Sequence, residues 1–65
     1  MKWIKVKEVL PKRKELVKLK WSDNSTGYGR LERIKDLTFK AYNPKYKRFW
    51  CNYTNTPIYW RKIKH

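Results

Sequence analysis

Thr38-Phe39-Lys40-Ala41-Tyr42-Asn43-Pro44-Lys45-Tyr46-Lys47-Arg48-Phe49-Trp50-Cys51-Asn52-Tyr53 is the stretch whose reading decides the fold. Its two flanks alternate apolar and polar residues, the period of a half-buried strand. Between them Asn43 and Pro44 occupy the first two positions of a turn. Proline presets the backbone angle needed at the second position of a type I turn, and asparagine favours the first, so the stretch predicts a β-hairpin.

Working outward, the same period recurs in Glu15 to Trp21, where Val17, Leu19 and Trp21 share one side while Lys18 and Lys20 lie on the other with Leu16. Trp3-Ile4-Lys5-Val6 begins another short strand, and Leu10-Pro11 ends the segment after it, because a residue before proline is pushed out of the helical region. Ser22 to Gly27 is dense in turn formers, and both glycines, Gly27 and Gly29, stand at its end, which marks it as the main loop. Arg30 to Leu37 is ambiguous. Leu31, Ile34 and Leu37 recur at helical spacing, whereas a strand separates Leu31, Arg33, Lys35 and Leu37 from Arg30, Glu32 and Ile34; strand is preferred, with a short helical turn near residues 30–37 as the alternative. Asn55-Thr56-Pro57 turns the chain into a last strand, Ile58 to Ile63. The expectation is a mainly β, single small domain spanning 1–65: an antiparallel sheet or open barrel of five to six short strands.

Charge is distributed unevenly. Residues 1–20 hold seven Lys and one Arg against Glu8 and Glu15, a net +6, and residues 21–37 balance Arg30, Arg33 and Lys35 against Asp23, Glu32 and Asp36. Residues 38–65 hold five Lys and two Arg with no acid, a net +7, so 6 + 0 + 7 gives the whole +13. Two cationic segments around a neutral one predict localised patches that hold something anionic. Net charge this high also destabilises a compact monomer by self-repulsion, which a neutralising partner would relieve.

A chain of 65 residues buries only about 60% of the surface that its unfolded form exposes. Cys51 is the only cysteine and His65 the only histidine, so neither a disulfide nor a zinc site can supplement the core. Rings must carry the burial, with oligomerisation as a second device. Eleven rings, four Trp, five Tyr and two Phe, exceed one small core, and the surplus belongs at a subunit interface or on an exposed binding face. Trp3, Val17, Leu19, Trp21 and Trp60 fall at alternating strand positions and are assigned to the core, and Cys51, alternating with Phe49 and Tyr53, is assigned there too. No apolar run is long enough to cross a bilayer, and lysines interrupt the amino-terminal apolar residues. A cytoplasmic protein with no membrane association is expected, in which the glycosylation sequons Asn24-Ser25-Thr26 and Asn52-Tyr53-Thr54 have no meaning.

Trp3-Ile4-Lys5-Val6, Leu10-Pro11, Glu15-Leu16-Val17-Lys18-Leu19 and Tyr59-Trp60-Arg61-Lys62-Ile63 together resemble a phage and prophage family catalogued as domain of unknown function 551. That family has a W-I-x-V opening, a Leu-Pro step, a valine-rich strand and a closing H-W-M-P-L-P segment. Trp60 matches the closing Trp and Ile63 the leucine. Tyr59 replaces the His, and Arg61, Lys62 and Lys64 replace the Met and both prolines, so no role of that His carries over. The resemblance covers about half the chain. It implies a small phage accessory protein of mostly β fold acting in a bacterial host cell, and it supplies no activity.

An enzyme is not expected, nor any cofactor or metal. Catalysis by side chains needs groups held within hydrogen-bond reach, whereas four of the five carboxylates stand within a residue of a Lys or Arg, and one Cys lacks an internal His. The stronger constellation is cations interleaved with rings. Lys45, Lys47, Arg48 and Trp50 on the hairpin, and Tyr59, Arg61 and Lys62 at the end, combine stacking faces with phosphate-neutralising charge. If Phe49, Cys51 and Tyr53 face inward, Arg48 and Trp50 face outward together, and Trp50 becomes the preferred stacking ring; the competing assignment gives it to an apolar cluster or dimer contact. Lys12 and Arg13 add a cationic turn, and Tyr28 sits in a glycine-bearing segment whose N–H groups could wrap phosphates.

Three function classes fit. One is a phage protein that sequesters a small anionic nucleotide, such as a cyclic oligonucleotide defence signal, in pockets of a homo-oligomer. A second binds single- or double-stranded nucleic acid; a third is a basic inhibitor docking on an acidic host protein. The first is preferred narrowly, on the surplus rings, the marginal core and the phage resemblance. A phosphate-tracking binder should lose about 10³-fold or more in affinity between 50 and 200 mM salt, an enclosed pocket much less.

Overall fold

A computed structural model describes residues 2–63. Six strands form one all-antiparallel sheet: β1 (Ile4–Lys5), β2 (Val17–Lys20), β3 (Thr26–Arg33), β4 (Thr38–Asn43), β5 (Arg48–Asn52) and β6 (Tyr59–Lys62), in the spatial order β1-β6-β2-β3-β4-β5. The antiparallel strands β2 to β5 succeed one another as a meander, and β6 returns across the sheet to lie between β1 and β2. No helix is present among the described residues.

All three meander hairpins close on a non-glycine residue with positive φ. In β2–β3 the Asn24 N–H donates to the Trp21 carbonyl, and the Trp21 N–H to the Ser25 carbonyl, across a turn whose last residue, Asn24, has φ 69°. Asp23 braces it by accepting from the Ser25 N–H at 3.0 Å and hydroxyl at 2.6 Å. The β3–β4 and β4–β5 links are both four residues long, since Arg33 pairs with Thr38 and Asn43 with Arg48. They end on Leu37 and Lys47, each at φ 52°. The Ile34–Leu37 stretch is therefore a tight turn after a strand that ends at Arg33. Helical spacing there arises because a four-residue loop has nearly one helical turn of backbone. At the hairpin read from sequence, the Asn43 side-chain oxygen accepts from the Lys45 N–H at 2.9 Å, as expected for asparagine before proline.

The left-handed conformation costs an ordinary residue about 1–2 kcal/mol. Lys47 is exposed, so Lys47→Gly should remove that strain and raise unfolding stability by about 0.5–1 kcal/mol after glycine's greater chain entropy is deducted. A urea melt reads this directly. An unchanged or lower midpoint would show that the turn is not strained.

Alternation assigns the sheet two faces. Val17, Leu19, Leu31, Phe39 and Trp60 point to the inner one and are buried. Val6 joins them from the segment after β1, and Pro11 and Pro57, in the segments before β2 and β6, are buried. The covering segment 6–16 is anchored by the Trp60 Nε1–H donating to the Val9 carbonyl at 2.6 Å and by the Lys14 N–H donating to the Leu31 carbonyl. Of the residues assigned to the core from sequence, Val17, Leu19 and Trp60 are buried, and Trp21 packs half-buried against them. Trp3 is not among them: it precedes β1 on the opposite face, with cations over its ring.

The glycines do not stand in a loop. Gly27 and Gly29 lie within β3, paired with Leu19 and Val17 on one side, and Gly29 with Ala41 on the other. Neither has positive φ. Their role is to admit Tyr53, whose ring lies across them: a Cβ on Gly27 would meet the Tyr53 hydroxyl at 2.8 Å, and one on Gly29 the ring at 3.2 Å. Tyr53 also packs edge-on against Trp21 at 4.7 Å and donates to the Tyr28 carbonyl at 2.7 Å. Burial pushes its phenol pKa above the ordinary range.

Candidate functional site

The outer face of the sheet carries the densest chemistry of the molecule. Lys18 and Lys20 alternate with Val17 and Leu19, so burying the aliphatic pair on the inner face aims both lysines outward. Antiparallel register extends this level sideways: Arg61 opposes Lys18, Lys18 opposes Tyr28, Tyr28 opposes Tyr42, and Tyr42 opposes Phe49. One row thus crosses five strands with two cations and then three rings. On one side of it Lys5, Tyr59 and Lys20 form a second row, and on the other Arg30, Lys40 and Asn52 form a third.

Cations and rings are in contact across these rows. The Lys18 ammonium lies 5.7 Å from the Tyr28 ring centre, Lys20 is 5.4 Å from Trp3 and 5.7 Å from Tyr59, and the guanidinium of Arg61 is 4.6 Å from Trp3. Arg30 covers Phe49 at 4.0 Å, and Phe49 leans on Tyr42 with ring centres 4.8 Å apart. Such pairs are worth about 0.5–1 kcal/mol each where exposed. They fix the rings and hold long cationic side chains flat along the sheet. Glu32 is the one acid on this face among the described residues, and Arg30 grips it at 2.7 Å. That hydrogen bond holds the Glu32 carboxyl below its usual range. Asp23 and Asp36 are likewise lowered by hydrogen bonds from Ser25 and Thr38, inside turns.

The residues singled out from sequence divide into three groups, with Lys62 apart. Tyr28, Tyr59 and Arg61 belong to the outer face. Lys45, Lys47, Arg48 and Trp50 sit exposed around the β4–β5 hairpin, with the Lys45 ammonium 5.6 Å from the Tyr46 ring. Lys12 and Arg13 lie on the segment covering the inner side, where the Arg13 Nε–H donates to the Glu32 carbonyl at 3.0 Å. Lys62, level with Val17, is exposed at the sheet's end and not on the outer face.

A β-bulge overturns the alternation expected in β5. Lys40 pairs with Asn52 but Tyr42 pairs with Phe49, so Trp50 and Cys51 both oppose Ala41. An extra residue shifts the phase of every side chain beyond it. Phe49 therefore faces outward with Tyr42, and Tyr53 alone of the expected inward set packs on the core. Cys51 is exposed, not buried. Trp50 is 51% exposed but does not share the row of Tyr28, Tyr42 and Phe49. It lines instead a cleft of about 760 Å³ with Lys18, Tyr28, Tyr42, Pro44 and Asn52 among its walls. Nor can the backbone of 28–29 wrap a phosphate, because it pairs with β2 and β4 on its two sides.

Sequence reasoning did not select Trp3, Lys18, Lys20, Arg30, Lys40, Tyr42 or Phe49 as site residues. A signal existed for two: Lys18 and Lys20 alternate with the most apolar pair of the chain, so they had to emerge on the same side. The others needed register. Among the described residues no group of three or more His, Cys, Asp or Glu could hold a metal, and no helix is long and apolar enough to cross a membrane. Comparison with family models, with curated proteins and with solved structures finds no match, so the reading of the site rests on its own geometry.

Proposed function

We propose that this protein is a non-enzymatic binder of nucleic acid that engages its ligand on the outer face of the sheet. The observation that carries the reading is the register that aligns Arg61, Lys18, Tyr28, Tyr42 and Phe49 across five strands. Lys and Arg neutralise phosphates and release their counterions, while ring faces stack on bases. Five cations on the face, Lys5, Lys18, Lys20, Lys40 and Arg61, have no acid partner among the described ion pairs. With about 0.7 counterions released per contact on a single strand, five contacts give a logarithmic salt slope near −3.5.

Affinity for a fluorescein-labelled oligonucleotide should therefore fall about 100-fold between 50 and 200 mM salt. This is less than the whole +13 suggested, because the remaining cations lie elsewhere. Lys18→Gln should flatten the slope by roughly 0.7. Absence of binding at 50 mM salt, or a slope indifferent to Lys18, would overturn the assignment.

Sequestration of a small anionic nucleotide is the second reading, favoured by the Trp50 cleft, which sets that ring near Tyr28, Tyr42 and Lys18. It predicts tight binding of free nucleotides with weak salt dependence and sensitivity to Trp50→Ala. The phage setting implied by the resemblance fits either reading and distinguishes neither.

A further inference from the structure

We infer that the ligand of the outer face is a single strand lying across the β-strands, with its bases on the Tyr28 and Tyr42 rings and on the Arg30 guanidinium plane that covers Phe49, and its phosphates on the flanking lysines. This rests on the nucleic-acid reading and narrows its substrate class. A duplex hides its base faces in the stack and offers a flat sheet only phosphates. Reading a duplex takes an element that enters a groove about 12 Å wide. The outer face has none, since it is the middle of a sheet and no helix is present among the described residues.

The chemistry of the face suits unpaired bases instead. Tyr28, Tyr42 and Phe49 stand on three neighbouring strands at one level, so their backbones are about 4.8 Å apart from one to the next. All three rings are half-buried: their packing fixes them, and part of each remains open to solvent. Cations border the row, Lys40 beside its rings and Lys20 and Lys5 beside its other end, with Lys18 and Arg61 continuing it toward Trp3, while Arg30 is neutralised by Glu32. A chain whose bases sit on the row thus has its phosphates over positive charge. Five strands at that spacing span about 19 Å, so the face holds about four nucleotides, the low end for a small β domain. Stacking is sequence-tolerant because every base has a π-face.

The test compares fluorescein-labelled oligothymidylates of 4, 8 and 12 nucleotides with a 12-base-pair duplex, at 100 mM salt, for the wild type, Tyr42→Leu and Tyr42→Phe. Leucine retains apolar packing on Phe49 but has no π-face; phenylalanine keeps both. Expected are single-strand binding at least 10-fold tighter than duplex binding and affinity that levels off beyond about four nucleotides per protein. Tyr42→Leu should weaken the single strand about 5- to 100-fold and leave the duplex unchanged, and Tyr42→Phe should restore it. Equal or tighter duplex binding overturns the single-strand inference while leaving nucleic-acid binding standing, as does indifference to Tyr42→Leu in a variant that melts cooperatively. If Tyr42→Leu fails to fold, the length series and the duplex comparison on the wild type still decide. Binding of neither probe defeats the functional reading itself.

Discussion

Gly29→Val is expected to remove a large share of the protein's folding stability. The position is buried in the middle of β3, between β2 and β4. A Cβ there would be driven onto the Lys40 backbone carbonyl oxygen, with the Leu19 methyl at 3.1 Å and the Tyr53 ring at 3.2 Å. Side chains can rotate away, but the Lys40 carbonyl belongs to the paired strand β4 and moves only if the ladder does. Overpacking of this kind costs about 1–3 kcal/mol, more where the backbone must move. A domain of this size has in total roughly 3–10 kcal/mol, at about 0.05–0.15 kcal/mol per residue. Gly27→Ala is the informative comparison, because the nearest atom to its Cβ is the Tyr53 hydroxyl at 2.8 Å, the far end of a side chain. Urea melts monitored by tryptophan fluorescence should rank the wild type first, Gly27→Ala next, Gly29→Ala below it and Gly29→Val last. Equal midpoints for Gly27→Ala and Gly29→Ala would contradict the view that β4's backbone sets the constraint.

Trp60→Ala should have a comparable effect by the opposite route, an emptied core. Trp60 is 5% exposed, the largest of the buried side chains, and β6 inserts it between β1 and β2 against Val6, Val17 and Leu19. Deleting a buried tryptophan ring leaves a cavity that costs about 3–5 kcal/mol. The same residue fastens the covering segment through its bond to Val9. Trp60→Phe retains most of the apolar volume but not the donor, and should lose about 1–2 kcal/mol. The two variants also separate packing from tethering. Proteolysis by trypsin at Lys12-Arg13-Lys14 should accelerate in Trp60→Phe even under conditions where the sheet stays folded, because the segment opens locally once its anchor is gone. Unchanged cleavage in a folded Trp60→Phe would assign the anchoring to the Lys14–Leu31 backbone bond and the burial of Val6 and Pro11.

Much of the sheet was legible because short-range chemistry governs it. The alternation of Val17, Lys18, Leu19 and Lys20 encodes a strand with one wet and one dry face, and Asn43-Pro44 encodes the turn between β4 and β5. The Ile34–Leu37 turn was less legible, since a four-residue loop and a helical turn share local spacing until Phe39 pairs back on Leu31. The candidate site was the least legible part. Linear proximity drew attention to Lys45 through Trp50, a cluster in sequence that the fold leaves at a hairpin tip. The bulge at Trp50 and Cys51 then reversed the faces of β5, moving Phe49 outward and exposing the cysteine.

By itself, then, the sequence determined the all-β architecture, the aliphatic face of β2, the dependence on rings for burial and the excess of positive charge. These come from period, turn chemistry and composition, which act over a few residues. Tertiary structure decided which cations and rings meet. Lys18, Tyr28, Tyr42, Phe49 and Arg61 come from five separate strands and share a row only through inter-strand register. Register is a cooperative property of the whole ladder: a one-residue slip in any strand turns its ring or cation to the opposite face. It also explains the glycines, which look like loop residues in the sequence but are the bed on which Tyr53 lies.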